Sequence, residues 1–354
     1  MATRDHPAAV DADAVVIGAG PAGLWAAFEL GLQTLAVHVV DSLPHAGGQC
    51  AELYPDKPIY DIPGVPVCTG QELAHHLLQQ LQPLQVPLHL GQTVAELHAD
   101  RTGQGEGWRL HTAQGMTLRC RALVIAAGVG AFVPRPLAVP GLEAWQDQQV
   151  FYTDPPPDVW LDRHVVVVGP GEAAVRLALH TAAHGAARVT LLHRTDRFTI
   201  DPALDDELQA AIGAARVHLC LGQPVAVLSD PDGRLLALEV ATARDERLSL
   251  PVDVLLPRLG LHPRLGPIAE WGLAMERKHL VVEPSTLQTS TPGIYAVGDV
   301  AHYPGKRKLI LCGFHEATLA AWAIAERLRP GQRIPLEYTT TSPRLRALLG
   351  ADAP

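Results

Sequence analysis

Ala14-Val15-Val16-Ile17-Gly18-Ala19-Gly20-Pro21-Ala22-Gly23 decides the fold. An apolar run feeds a Gly-x-Gly-x-x-Gly turn, a helical pattern follows over Leu24–Leu32, and Leu35–Val40 reads as a second strand ending at Asp41. That order is a βαβ unit. Gly18 permits the tight turn out of the strand, Gly20 lets a backbone approach a pyrophosphate, and Gly23 permits close helix packing. Pro21 and Ala22 open the helix, whose N-terminus supplies free N–H groups and the positive end of a dipole. Asp41, at the tip of the next strand, is placed to accept from a ribose hydroxyl. Glycines alone would also suit a plain strand-turn-helix, so the context carries the reading.

A second copy begins near the middle of the chain. Val165–Val168 leads into Gly169-Pro170-Gly171-Glu172-Ala173-Ala174, an Ala-rich helix runs to about His184, and Arg188–Leu192 forms the next strand. Where the first copy has Asp41, this one has His193, followed by Arg194 and Arg197. A carboxylate there would repel a 2′-phosphate, whereas a guanidinium holds it with charge-assisted bonds, so this half suits NADPH better than NADH. The alternative for both arginines is a solvated strand end. Two different dinucleotide sites in one chain imply electron traffic between two cofactors, and FAD with NADPH is the simplest pair. Near the other end, Thr291–Asp299 is an apolar strand ending in Gly298-Asp299, suited to place a carboxylate on a flavin's ribityl hydroxyls or to make a structural turn.

Composition excludes several classes. The chain has 354 residues, about two domains' worth, and 47% hydrophobic with 18% charged residues is globular rather than disordered or fibrous. A formal net charge of -9 leaves no footprint for nucleic acid. The first fourteen residues, with Asp5, Asp11 and Asp13, lack the basic and apolar regions of a signal peptide, and no apolar run is long enough to span a membrane, so a cytoplasmic location is expected. Cys50, Cys68, Cys120, Cys220 and Cys312 form no C-x-x-C pair and no metal spacing, so no metal site is expected.

Taken together, these residues resemble the thioredoxin-reductase-like type of ferredoxin–NADP reductase, a family of FAD-containing homodimers. Beyond the glycine turns, the resemblance rests on Asp41-Ser42-Leu43-Pro44 with Gly47-Gly48-Gln49, Leu53-Tyr54-Pro55-Asp56-Lys57, and Ala127–Phe132 with Pro134-Arg135. It continues through Leu265–Ile268, Trp271-Gly272-Leu273, Tyr303-Pro304-Gly305-Lys306 and Gly313-Phe314 with Glu316-Ala317. It implies that Asp41, Gln49, Tyr54, Val94, Phe132 and Asp299 line the FAD site, with Tyr54 stacked on one face of the isoalloxazine and Thr340 of the tail among the FAD residues. It also implies a residue from the C-terminal tail on the other face. Relatives use a His there, and Tyr338 is the replacement in this chain, unless the tail crosses the dimer surface. A helix beginning near Gly313, with His315 close by, would face the flavin's pyrimidine side.

Relatives that reduce thioredoxin carry a Cys-x-x-Cys after the second glycine turn, where this chain has Gly171-Glu172-Ala173-Ala174. The second turn also departs from the family at Pro170 and Glu172, and the usual arginine pair is reduced to Arg194-Thr195. The expected fold is α/β: two Rossmann-like (three-layer ββα) dinucleotide-binding domains. The FAD domain, residues 1–130 and 258–354, is split by an inserted NADPH domain, residues 131–257. The expected function is hydride transfer from NADPH to FAD and then single electrons to ferredoxin or flavodoxin, docked at Lys306, Arg307 and Lys308. The alternatives are a disulfide, quinone or oxygen acceptor, or a flavin-binding redox sensor that does not turn over.

Overall fold

The structure, a computed structural model, describes residues 9–100 and 106–350; Asp5 lies outside them. The chain divides into two compact units, Met1–Ala131 with Pro263–Pro354, and Phe132–His262.

The first unit is built on a parallel core. Strand Val10–Ile17 pairs in parallel with Val37–Val40 on one side and with Thr117–Ile125 on the other, and Val37–Val40 pairs onward with Leu88–His89. Strand Thr117–Ile125 divides its far edge: Thr117–Cys120 pairs antiparallel with Gly107–Thr112, while Leu123–Ile125 pairs in parallel with Ile294–Ala296. The late strand thus completes the sheet that the early strands begin. Helix α1 (Pro21–Leu32) follows the glycine turn, α2 (Gly48–Leu53) is a short strap, and α3 (Gly70–Leu81) starts on a Thr69–Glu72 capping box.

The second unit has three layers. Its parallel sheet runs His218–Leu221, Arg188–His193, His164–Val168, Val254–Pro257. Alternate residues of these strands point to opposite faces. Val165, Val167, Val254 and Leu256 pack with Ala174 and Val175 of α4 (Glu172–Ala183) and Leu204 and Leu208 of α5 (Pro202–Gly213). Val166, Val168 and Leu255 face Leu235, Leu238 and Val240 of an antiparallel sheet made by Gln223–Ser229, Leu235–Ala241 and Arg247–Pro251.

Beyond the second unit the chain supplies α6 (Ile310–Leu328), which packs on α1. Trp25 and Phe314 rings lie 5.6 Å apart, and the Trp25 Nε1–H donates to Thr318 Oγ1 at 3.1 Å. The tail ends in α7 (Pro343–Leu348). Among the described residues no helix is long and apolar enough to cross a membrane, and no group of His, Cys, Asp and Glu could hold a metal ion.

Candidate functional site

The first glycine turn is shaped partly by the chain and partly for something else. A Cβ on Gly18, whose φ is +110°, would lie 2.4 Å from the Ala126 carbonyl oxygen, so the neighbouring strand demands glycine there. A Cβ on Gly20 would meet nothing closer than the Gly48 Cα at 3.7 Å. The chain's own packing leaves Gly20 open, at the start of a helix whose first N–H groups have no helical partner.

The second unit repeats the pattern. A Cβ on Gly169 would lie 2.2 Å from the Arg258 carbonyl oxygen, while one on Gly171 would meet nothing within 4 Å. Ala174 and Val175 donate back to the Gly171 carbonyl, leaving the Glu172 and Ala173 N–H groups at the open end. Both turns are therefore cradles a Cβ would fill, each capped by a helix N-terminus, and each fits the pyrophosphate of a dinucleotide.

Around the first cradle the chain folds its other two motifs. The Gly47 N–H donates to the Ala19 carbonyl at 2.8 Å, laying α2 against the turn. Ala22 touches both remaining segments: a Cβ on Gly298 or on Gly313 would stand 3.1 Å from its methyl. Gln49 Nε2 and Asp299 Oδ2 approach to 3.5 Å, so the strap and the Gly298-Asp299 turn meet at the same place. Asp41 is 9% exposed. Its carboxylate accepts from the Ala19 N–H at 2.5 Å and the Leu43 N–H at 2.8 Å. Burial pushes its carboxyl up, partly offset by the Leu43 and Ala19 N–H bonds. With both oxygens already engaged, each keeps a lone pair for a hydroxyl. Val94 is buried at the start of its strand, where the ladder has an irregularity before Glu96. Tyr54 ends α2 with its hydroxyl 3.7 Å from Cys50 Sγ; burial raises both groups, the tyrosine well above its ordinary range. The Phe132 side chain lies outside the described residues.

In the second unit, Arg194 and Arg197 are exposed at the end of strand Arg188–His193 and form no ion pair among the described residues. His193 Nδ1 lies 2.9 Å from the Thr195 carbonyl oxygen. Glu172 pairs with Arg176 at 2.7 Å, one turn on along the helix.

The structure overturns one expectation and adds detail to two others. Lys306 does not join a surface patch: its side chain is 5% exposed and paired with Glu316, itself 1% exposed. The same carboxylate accepts from Tyr303 OH and from the Gly298 N–H, both at 2.8 Å. Glu316 thus ties the Lys306 segment to the turn that carries Asp299. The sequence did offer a signal, since Glu316 is the one charge on the buried face of α6. Second, α6 begins at Ile310, and the Gly313 N–H is used by the Leu309 carbonyl, so the free N–H groups belong to residues 310–312. His315 is exposed. Third, the tail is held at the far end of α1. Arg344 donates to the Leu32 carbonyl at 3.3 Å, Leu345 is buried, and Leu349 packs, partly buried, against the unit's hydrophobic interior. A helix of α1's length spans about 18 Å, so the tail is anchored at the opposite end of α1 from the cradle. Tyr338 is 63% exposed and Thr340 is also exposed.

Residues 12–325 match the model of the pyridine nucleotide-disulphide oxidoreductase family. The chain belongs to that family. It is 54% identical over 345 residues to a ferredoxin–NADP reductase of Acidovorax sp. strain JS42, covering 96% of this chain and 95% of that one. It is 46% identical over 354 residues to a ferredoxin–NADP reductase of Albidiferax ferrireducens, covering 99% of both. Among solved structures, thioredoxin reductase from Gloeobacter violaceus superimposes with a TM-score of 0.55 at 24% identity, covering 93% of this chain and 98% of that one. Bacillithiol disulfide reductase from Staphylococcus aureus gives 0.56 at 17%, with 90% and 100% covered. Those two likenesses show the fold. Family membership makes this chain an FAD-dependent oxidoreductase that uses a pyridine nucleotide.

Proposed function

We propose that the protein is a ferredoxin–NADP reductase, moving electrons between NADP(H) and a one-electron protein acceptor of the ferredoxin or flavodoxin class. The observation that carries this is the pair of open glycine cradles with opposite chemistry at the next strand's end: buried Asp41 in one unit, unpaired Arg194 and Arg197 in the other. The relatives named for this activity support it.

FAD, bound at the first cradle, supplies a hydride acceptor that can release electrons one at a time. The protein's part is placement. The N–H groups opening α1 hold the pyrophosphate, Asp41 accepts from the adenosine ribose, and Asp299, with Gln49 beside it, accepts from the ribityl hydroxyls. Tyr54 offers its ring as a stacking face, and the unpaired N–H groups at the start of α6 favour negative charge near them. In the second unit the N–H groups of Glu172 and Ala173 take the NADP(H) pyrophosphate, with Gly169 and Gly171 shaping the turn beside His193. Arg194 and Arg197 take the 2′-phosphate.

No dithiol relay stands in the second unit, and Cys50 is a poor substitute. It is 2% exposed, and burial keeps its thiol protonated at neutral pH. A disulfide acceptor therefore loses the residue that favoured it. For docking an acidic partner, Arg307 and Lys308 remain outward, flanked by exposed Leu309 and Leu311. A homodimer in the cytoplasm fits the family resemblance.

Anaerobic stopped-flow mixing tests the whole. The yellow protein is expected to bleach faster with NADPH than with NADH and to recolour with ferredoxin or flavodoxin rather than with a disulfide. No bleaching by either nucleotide would mean a sensor that does not turn over, and recolouring by a disulfide alone would overturn the one-electron acceptor. Arg307→Glu should slow ferredoxin reduction and weaken its salt dependence without touching small-dye reduction.

A further inference from the structure

Arg258 is the first residue beyond strand Val254–Pro257, and its backbone lies against the second glycine turn. Its N–H donates to the Val168 carbonyl at 2.6 Å, and its own carbonyl oxygen is the atom that forbids a side chain at Gly169. The side chain continues the alternation of Val254 and Leu256, both packed on the α4 face of the sheet. The side chain therefore leaves the strand on the sheet face that α4 covers, and its guanidinium reaches the segment of Phe151 and Asp154. That side chain is 11% exposed. Nη1 donates to the carbonyls of Phe151 at 3.0 Å and Pro257 at 2.8 Å, which fixes the fork, and Nη2 donates to Asp154 Oδ1 at 2.6 Å. Asp154 is 79% exposed, and Arg258 is its one side-chain partner among the described residues.

A largely buried cation on a residue whose backbone abuts the second glycine turn, held by two neutral carbonyls and one solvent-exposed carboxylate, has the charge arrangement of a phosphate site with an acidic stand-in. We propose that Arg258 binds the pyrophosphate of the dinucleotide and that Asp154 occupies the guanidinium until that phosphate displaces it. The proposal rests on the second unit taking NADP(H). Only the Asp154 bond need be exchanged. The released carboxylate is already largely in water, and the cation stays pre-oriented, which limits the ordering cost of binding. Asp154 then acts as a competitor set against the ligand, making affinity lower than the site could deliver.

Calorimetry on the FAD-loaded protein tests this with two probes, NADP+ and adenosine 2′-monophosphate, which carries the 2′-phosphate but no pyrophosphate. Asp154→Asn should tighten NADP+ about three- to tenfold and leave adenosine 2′-monophosphate unchanged. Asp158→Asn, which removes the same charge four residues along the chain, controls for the change in net charge and should not tighten NADP+ on that scale. Arg258→Lys should loosen NADP+ about tenfold or more while sparing the smaller probe. Should that variant fail to fold, the Asp154 and Asp158 pair still decides. NADP+ affinity unchanged in Asp154→Asn, or equally changed in both Asn variants, overturns the proposal. Wild-type protein that binds neither probe overturns instead the assignment of this unit to NADP(H), and the role of Arg258 with it.

Discussion

Two guanidinium groups set the nucleotide preference proposed for the second unit, and Arg194, next to the strand end, is the one a substitution tests most directly. Arg194 is exposed and has no carboxylate partner among the described residues to give up, so its full charge is available to a 2′-phosphate. A hydrogen bond to a charged group contributes about 1.5–3 kcal/mol. Arg194→Asp should therefore raise KM for NADPH roughly 10- to 100-fold and leave KM for NADH nearly unchanged; equal effects on both would show that Arg194 does not read the phosphate. Another residue-scale effect lies at the other end of the first unit's sheet. His38 Nδ1 and His89 Nε2 are 2.8 Å apart in stacked rings. Burial, and for His38 also the charge of His89, lowers both from the ordinary 6.5. Below about pH 6.5 the unfolded chain then binds more protons than the folded one, and stability falls as pH drops through that window. Wild-type Tm should fall more steeply from pH 7 to pH 5 than that of His38→Gln, and parallel curves would remove the pair from the pH response. Asp41 and Arg194 were legible in the sequence because strand-end positions follow from the βαβ order. The His38–His89 pair was not, since it depends on which strands become neighbours.

At the scale of elements, the segment from Tyr303 to Glu316 shows why a run of like charges misleads. Lys306-Arg307-Lys308 reads as one patch, yet Lys306 turns inward onto Glu316 while Arg307 stays exposed, its guanidinium 3.2 Å from the Lys306 carbonyl. What the sequence could not supply was the partner: a buried Lys requires a buried carboxylate, and Glu316 meets it only once α6 docks. That pair supports the Gly298-Asp299 turn through the Gly298 N–H. Removing one member strands a buried charge at about 3–5 kcal/mol. Lys306→Met should lower Tm by about 10 °C and reduce retained FAD, measured as the ratio of flavin to protein absorbance. The double variant Lys306→Met with Glu316→Gln should recover part of both, because no charge is then left alone. A Lys306→Met protein with native Tm and full flavin would show that the pair holds nothing. The tail obeys the same rule. A tail's destination depends on where its residues find partners, and here Leu349 packs against the first unit's interior while Arg344 holds the Leu32 carbonyl at the C-terminal end of α1.

For the whole molecule, each unit has its own hydrophobic interior and its own glycine cradle. The repeat was readable because the turns demand glycine at fixed spacing. Completion of the first sheet by Ile294–Ala296 was readable only as a late strand in need of a neighbour, since the pairing with Leu123–Ile125 spans far too much sequence for any local pattern. Separate interiors predict separate ligand linkage. A ligand that binds only the folded second unit stabilises that unit, by about 2.7 kcal/mol when its concentration is 100 times Kd. NADP+ at that excess should raise the unfolding temperature of the second unit by several degrees, followed by protection of peptides from residues 164–200 against hydrogen exchange during heating. The temperature at which flavin fluorescence appears, which reports FAD leaving the first unit, should stay in place. If flavin release shifts upward together with the second unit, the two unfold as one cooperative body and the separate linkage is wrong. If neither shifts, the open cradle at Gly171 does not bind the nucleotide.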